Sequence, residues 1–177
     1  MNRRSLALAA ATATVTAALG AACASADPGP DPAPTQAGSP QSGAVCAATL
    51  DGAVTQLPDQ STEPGARKSL LECKDGSWQD YRAEYPNSDR WLSTGPELVL
   101  HGQGVRNPEF MAGHWTGTPQ ESDAICHATY VQGGDDNPKI TQTHEVNGDA
   151  GKPVEFEAPV RLFTVTLTGN CLWERSE

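Results

Sequence analysis

The stretch RLFTVTLTGNCLW, residues 161–173, alternates apolar and polar positions, with Phe163, Val165 and Leu167 on one side and Thr164, Thr166 and Thr168 on the other. A period of two belongs to a strand with one buried face. PVEFEAP repeats the pattern, setting Val154 and Phe156 against Glu155 and Glu157 with a proline at each end. The same reading places strands at AVCAATL, KSLLECK, SWQDY, PELVLHG, AGHWTGT and AICHATYVQ, and no window carries a helical stripe. Short strands parted by Gly, Pro, Asn and Asp clusters predict an all-β fold, an antiparallel β-sandwich or partly open barrel.

Parity then assigns faces. If the last strand runs unbroken from Val160, then Phe163, Val165, Leu167, Gly169, Cys171 and Trp173 share one face and point inward. A bulge at Gly169–Asn170 would shift that register. In LLECKDGSW, Asp75-Gly76 is a two-residue hairpin signal, because a type I′ turn needs positive φ at both central positions. Lys74 then closes on Ser77, and Cys73 faces Trp78 across the ladder. A cysteine and an indole thus meet at two places, an arrangement that resembles the disulfide and tryptophan core of immunoglobulin-like sandwiches, although the spacing differs from that family.

The β pattern begins at Ala44, and what precedes it is of another kind. MNRRSLALAAATATVTAALGAACASA, residues 1–26, has two arginines, an uncharged Ala-, Leu-, Thr- and Val-rich run, and the small-x-small ending Ala24-Ser25-Ala26 of a cleaved signal peptide. Arg3-Arg4 also suits a twin-arginine route, and the sequence leaves both export routes open. Cys23 offers an alternative, lipidation after cleavage directly before it, although Gly20 stands where such signals carry an apolar residue. Residues 27–43, with five prolines and no large apolar side chain, read as a solvated, disordered linker in which Thr35, Ser39 and Ser42 are candidate glycosylation positions. Residues 44–177 then form a single β domain.

Export changes the meaning of the cysteines. With Cys23 cut away or acylated, Cys46, Cys73, Cys126 and Cys171 remain, an even number that predicts two disulfides in an oxidising compartment. Four cysteines allow three connectivities. The chain falls into an earlier and a later group of strands, which favours Cys46–Cys73 with Cys126–Cys171, each bridge adding roughly 3 to 4 kcal/mol in the chain-entropy picture.

Charge narrows the partners. The chain carries 22 acidic and 12 basic residues, a formal net charge of −10, and loss of Arg3 and Arg4 leaves 12 − 2 = 10 basic ones. Such a balance repels phosphate backbones and anionic lipid, so nucleic acid is excluded as a partner and a membrane enters only through a lipidated Cys23.

Candidate chemistry is sparse. His101, His114, His127 and His144 are scattered, so no zinc spacing forms, and no cofactor motif occurs. GGDDNP lacks the ligand alternation of a calcium loop. There is no Gly-x-Ser-x-Gly elbow, and the cysteines are committed to bridges rather than to nucleophilic work. Glu155 and Glu157 share a strand face, but among so many carboxylates a pair carries little weight. His127 and Thr129 are expected to face solvent opposite Cys126. The strongest candidate surface is WQDYRAEYPNSDRW, where Tyr81, Arg82, Tyr85, Arg90 and Trp91 mix aromatics with arginine in a polar stretch, as recognition patches do. The alternative is that these rings fold back beneath a long loop. His101, Arg106 and His114 flank GQGVRNPEFMAG and are a further set that could line a pocket.

The ending CLWER, Cys171–Arg175, resembles the Cys-Tyr-Trp-Glu-Arg ending of many small exported proteins and lipoproteins of actinobacteria, with Leu172 in place of Tyr. NPEFMAGHWTGT is similar to the segment of those proteins in which Pro-Gly precedes a Tyr or Trp strand, with Met111-Ala112-Gly113 in its place, and Ala26-Asp27-Pro28 matches mycobacterial secretory processing sites. The resemblance implies an envelope or extracellular setting and a β domain, and it carries over no catalytic residue. The expectation is an exported, non-enzymatic domain, secreted or envelope-associated outside the cytoplasmic membrane, that binds a protein, glycan or lipid component. A small hydrolase of wall polysaccharide or peptide, and a secreted inhibitor or effector of another protein, are the alternatives.

Overall fold

The computed structural model describes residues 39–57, 68–94, 97–134 and 141–176. The expected signal peptide, Cys23, the linker up to residue 38 and residues 135–138 of GGDDNP lie outside them. Among the described residues the fold is an all-β sandwich stapled by two disulfides, and its sheets do not close into a barrel.

The hairpin at Asp75-Gly76 forms as its chemistry requires. Asp75 has φ 52° and Gly76 φ 75°, the two positive values of a type I′ turn. β2 (Leu70–Lys74) and β3 (Ser77–Asp80) pair across it with Cys73 opposite Trp78 and Lys74 opposite Ser77. β1 (Val54–Gln56) lies against the other edge of β2 and runs parallel to β4 (Arg90–Ser93) through Val54 and Trp91. The large sheet continues through β11 (Cys171–Ser176), β6 (Gly113–Pro119) and β9 (Val154–Ala158), in the order β3-β2-β1-β4-β11-β6-β9. A four-stranded antiparallel sheet faces it, ordered β5 (Leu98–His101), β10 (Leu162–Thr168), β7 (His127–Gly133) and β8 (Thr141–Asn147).

The last strand departs from its expected form. The chain breaks at Gly169–Asn170 and passes from the small sheet, as β10, to the large one, as β11. Gly169 has φ 87°, and a Cβ there would lie 2.1 Å from the Ile125 carbonyl oxygen, so only glycine makes this crossing. Val165 and Leu167 still reach the same core as Cys171 and Trp173, because the two strands approach it from opposite sheets. Phe163 does not. The register slips between Leu162 and Thr164, Leu162 takes the buried position, and Phe163 is half-buried.

Three further differences have local causes. AVCAATL is not a strand: Val45 bridges to Ser77, and Ala48–Leu50 form a 3-10 turn. The strands β1, β4 and β8 arise where no alternation announced them. The packed chain also begins inside the span read as linker, since Pro40 is buried and the Gly43 N–H donates to the Trp78 carbonyl at 2.7 Å.

Two cores result, on opposite faces of the large sheet. The inner core lies between the sheets, where Trp91, Trp115, Phe156 and Trp173 of the large sheet meet Leu98, Leu100, Val165 and Leu167 of the small one, with Cys126–Cys171 among them. The second gathers Cys46, Leu50, Ala53, Leu71, Cys73, Trp78, Leu92 and Leu172 under the segment preceding β1, with Cys46–Cys73 as its staple. Each bridge has an indole in its own core, Trp173 with Cys171 and Trp78 with Cys73. Disulfides of this kind fit an oxidising compartment.

Candidate binding surface

The five residues read as a recognition patch do not form one surface. Trp91 lies on β4 in the inner core, fully buried, and its indole N–H donates to the Glu109 carbonyl at 3.2 Å. This removes Trp91 from the recognition patch and agrees with the alternative in which the rings fold back, although Trp91 does so from a strand and not from beneath a loop. Tyr81 packs its ring against the same core and donates its hydroxyl to the Asn87 carbonyl at 3.0 Å. Burial raises its phenol pKa above the ordinary value, and the charge of Glu72 adds to the effect. Arg90 is a clamp: Nε binds Glu174 Oε1 at 3.0 Å, while the two terminal nitrogens donate to the carbonyls of Asp51 and Thr49 in the segment over the second core. Arg82 and Tyr85 remain exposed, Arg82 paired to Asp80 at 2.9 Å. The hydrogen bond and charge of Arg82 hold the Asp80 carboxyl below its usual range, and the Ser42 hydroxyl adds to this.

The histidines of the second candidate set are also separated. His101 stands on the small sheet, its backbone N–H bound to Glu109 Oε2 at 2.8 Å. Glu109 is buried and held by Lys68 Nζ at 2.6 Å, and Lys68 also caps the Val99 carbonyl at 2.7 Å. His114 lies on the far side of the sandwich, on the outer face of β6, with Glu155 and Glu157 of β9 at 3.7 and 3.8 Å. Arg106 is exposed. No shared pocket joins His101 to His114, because the two stand on outer faces of different sheets. Among the described residues no group of three or more His, Cys, Asp and Glu side chains is placed to hold a metal ion.

What pairing does assemble is the outer face of the small sheet. Side chains alternate across a strand, and Leu98, Leu100, Ala128, Val165 and Leu167 point into the core. Their neighbours therefore point out. The register sets Val99, Thr166, Thr129 and Glu145 in one row across four strands, and His101, Thr164, Val131 and Thr143 in the next. Thr168, His127 and Asn147 form a third row. Rows of this kind repeat about every 6.6–6.8 Å along the strands, with neighbouring strands about 4.8 Å apart. His127 and Thr129 lie on one side of β7 as expected, with the imidazole Nε2 3.0 Å from the Thr129 hydroxyl.

The chemistry of this face is unusual for the chain. Of the 22 acidic residues, the three rows hold only Glu145, and they hold no Lys or Arg. Hydroxyls and imidazoles dominate, groups that both donate and accept hydrogen bonds. The large sheet has no equivalent free face: its outer side is covered over Leu92 and Leu172 and charged beyond them, where Arg90, Glu174, Thr116 and Glu155 stand in one row. Alternation exposed Thr164, Thr166 and Thr168 in the sequence; their juxtaposition with Thr129, Thr143 and the imidazoles depends on strand pairing, which one sequence does not print.

No protein-family model matches the chain, and neither a curated protein nor a solved structure does.

Proposed function

We propose that the chain is exported and acts outside the cytoplasmic membrane as a non-catalytic binding domain, with the outer face of the small sheet as its contact surface for an uncharged glycan of the envelope. One observation carries this reading: a four-stranded face, open among the described residues, whose three rows hold a single carboxylate on a protein of net charge −10. Protein interfaces are anchored by aromatic side chains and arginine at their centre, and these rows have neither. Anionic lipid is repelled by the chain's charge, and Val99 and Val131 offer little apolar area to a lipid tail. Sugar hydroxyls match a surface of hydroxyl and imidazole groups, since each side both gives and receives hydrogen bonds. The two disulfides and the export-type amino terminus agree with an extracellular setting.

The test is sedimentation of the purified chain with insoluble neutral wall polysaccharide. Paired substitutions Thr129→Glu and Thr166→Glu should abolish co-sedimentation with the far-UV spectrum unchanged, and Arg82→Ala with Tyr85→Ala should leave it intact. Equal retention of the Thr129→Glu/Thr166→Glu protein would overturn the reading. So would binding only to a protein or lipid fraction.

A further inference from the structure

The two disulfides differ in what must move before a reductant can reach them. Thiol–disulfide exchange needs an attacking thiolate in contact with one of the two sulfurs, so a buried bridge reacts only after its surroundings open. Cys73, Cys126 and Cys171 are fully buried and Cys46 is nearly so, and neither bridge meets solvent in the folded chain. Cys171 begins β11 and is paired with Ser93 of β4 on one side and Pro119 of β6 on the other. Cys126 directly precedes β7, which lies between β10 and β8, and its carbonyl accepts the Gly148 N–H at 2.9 Å. Freeing that bridge means parting strands that are paired on both sides.

Cys46 stands in the segment 39–53, outside the named strands of either sheet. Backbone hydrogen bonds lay this segment against β3: the Gly43 N–H donates to the Trp78 carbonyl at 2.7 Å, the Trp78 N–H to the Ala44 carbonyl at 2.8 Å and the Cys46 N–H to the Gly76 carbonyl at 3.0 Å. Arg90 reaches the carbonyls of Thr49 and Asp51. The side chains that the segment commits to the second core are Cys46, Leu50 and Ala53, with Ala44 at its margin. A single leucine is a small apolar anchor for a segment of this length. Beneath it the Trp78 indole N–H is buried without a partner among the described residues, and it gains a water when the segment lifts. The covalent link to Cys73 is therefore the strongest tie that holds the segment down.

We propose that Cys46–Cys73 is a redox latch, opened by a dithiol reductant while Cys126–Cys171 stays closed. During a brief lift of the segment one thiolate of the reductant attacks a sulfur of the bridge, a mixed disulfide forms, and the other cysteine leaves as a thiolate. The second thiol of the reductant then displaces the attacked cysteine. The reductant departs as its disulfide, and two electrons and two protons remain on the chain as the thiols of Cys46 and Cys73. Without the bridge the segment spends more of its time lifted and bares Leu71, Trp78, Leu92 and Leu172 on the outer side of the large sheet. The sandwich persists, because the inner core contains no residue of the segment. Reoxidation of the two thiols closes the latch.

This inference stands independently of what the small sheet binds, and it is read on the wild-type chain. The purified, disulfide-intact protein is held in graded dithiothreitol at neutral pH without denaturant, quenched by alkylation and peptide-mapped. Cys46 and Cys73 should be alkylated together while Cys126 and Cys171 remain bridged, with the far-UV spectrum retained. In that singly reduced protein, hydrogen exchange at the Gly43, Cys46 and Trp78 amides should quicken by about 100-fold, the order of the restraint that a bridge of this span imposes, and β10 should keep its protection. Indole emission should move to the red, and Trp78→Phe should remove that shift, since Trp91, Trp115 and Trp173 stay in the inner core. Oxidised glutathione should restore the slow exchange. Reduction of both bridges together, or of Cys126–Cys171 first, overturns the proposal. So does a Cys46–Cys73 bridge that resists dithiothreitol until the sandwich melts, or a singly reduced protein that loses its far-UV spectrum or exchanges at Gly43 and Trp78 as slowly as before.

Discussion

Trp173 and Trp78 fill cores on opposite faces of the same sheet, and the two cores are held on different terms. Between the sheets every indole is satisfied: Trp173 donates to Ser93 Oγ at 3.0 Å, Trp115 to the Met111 carbonyl at 2.9 Å, and Trp91 to the Glu109 carbonyl. Ser93 passes the interaction on to the Cys171 carbonyl at 3.2 Å. Regular ladders enclose this core from both sides. The second core has one sheet beneath it and, above, a segment with a 3-10 turn as its helical element, while the Trp78 N–H has no partner among the described residues. A buried N–H without a partner costs free energy, and irregular cover is where local opening starts. The inner core is therefore the global unit of stability, and the outer one the first to open.

Removing the bridges one at a time puts the largest strain on this comparison. The sequence separations are 45 for Cys126–Cys171 and 27 for Cys46–Cys73. Chain entropy alone gives about 4 and about 3.5 kcal/mol, nearly equal values. A difference in outcome then reports on packing. Cys126→Ala with Cys171→Ala should lower the main melting temperature by roughly 10–15 °C, at about 2–4 °C per kcal/mol for a chain of this size. Cys46→Ala with Cys73→Ala should move the main transition by less than half as much, with early hydrogen exchange at the Gly43 and Trp78 amides. Calorimetry beside exchange measurements decides it, and equal shifts would mean that both cores melt together.

A smaller effect is expected at the clamp. Arg90 ties Thr49 and Asp51, in the cover, to Glu174 on β11. Its side chain is about one-third exposed, so solvent screening discounts the ion pair and leaves the carbonyl contacts as the main contribution. Arg90→Ala should destabilise by about 1–2 kcal/mol. The loss should fall on exchange in the segment 43–53 and leave β10 protected; uniform loss would place Arg90 in the global unit.

The same contrast explains what the sequence disclosed. Alternation is visible only where one face is wet. β10 and β9 meet that condition and were legible, as was the Asp75-Gly76 hairpin, whose geometry depends on two residues. β4 does not: Trp91 enters the inner core and Leu92 the outer one, so Arg-Trp-Leu-Ser shows no period and its tryptophan looked like a loop residue. Cys171-Leu172-Trp173 is buried on both sides for the same reason. β8 fails in the opposite way, because at the rim even its inward positions Gln142, His144 and Val146 are no more than half-buried. The bridge pairing followed from grouping the strands. The hydroxyl face needed strand order, and so did the separation of His101 from His114, which stand near each other in sequence but on opposite outer faces.

The smallest effect comes with acid. Asp80, at the end of β3, accepts hydrogen bonds from Arg82 at 2.9 Å and from Ser42 Oγ at 3.3 Å, so it links the hairpin to the start of the cover. Arg82, first through its hydrogen bond, holds the carboxyl below 3.8 in the folded chain. A group whose pKa is depressed by folding contributes stability that is complete above its unfolded value and is lost as pH falls through the folded one. The contribution of Asp80 is therefore whole at neutral pH and is lost as the pH falls from its ordinary value of 3.8 through the lower folded one. Asp80→Asn should lower stability slightly at neutral pH, with faster exchange at Gly43. The gap from wild type should close as the pH falls below that of ordinary carboxylates. Because Asp80 reaches only the cover, the closing should appear in local exchange and not in the melting of the sandwich; a shift of the main transition with the same pH dependence would tie the end of β3 to the inner core.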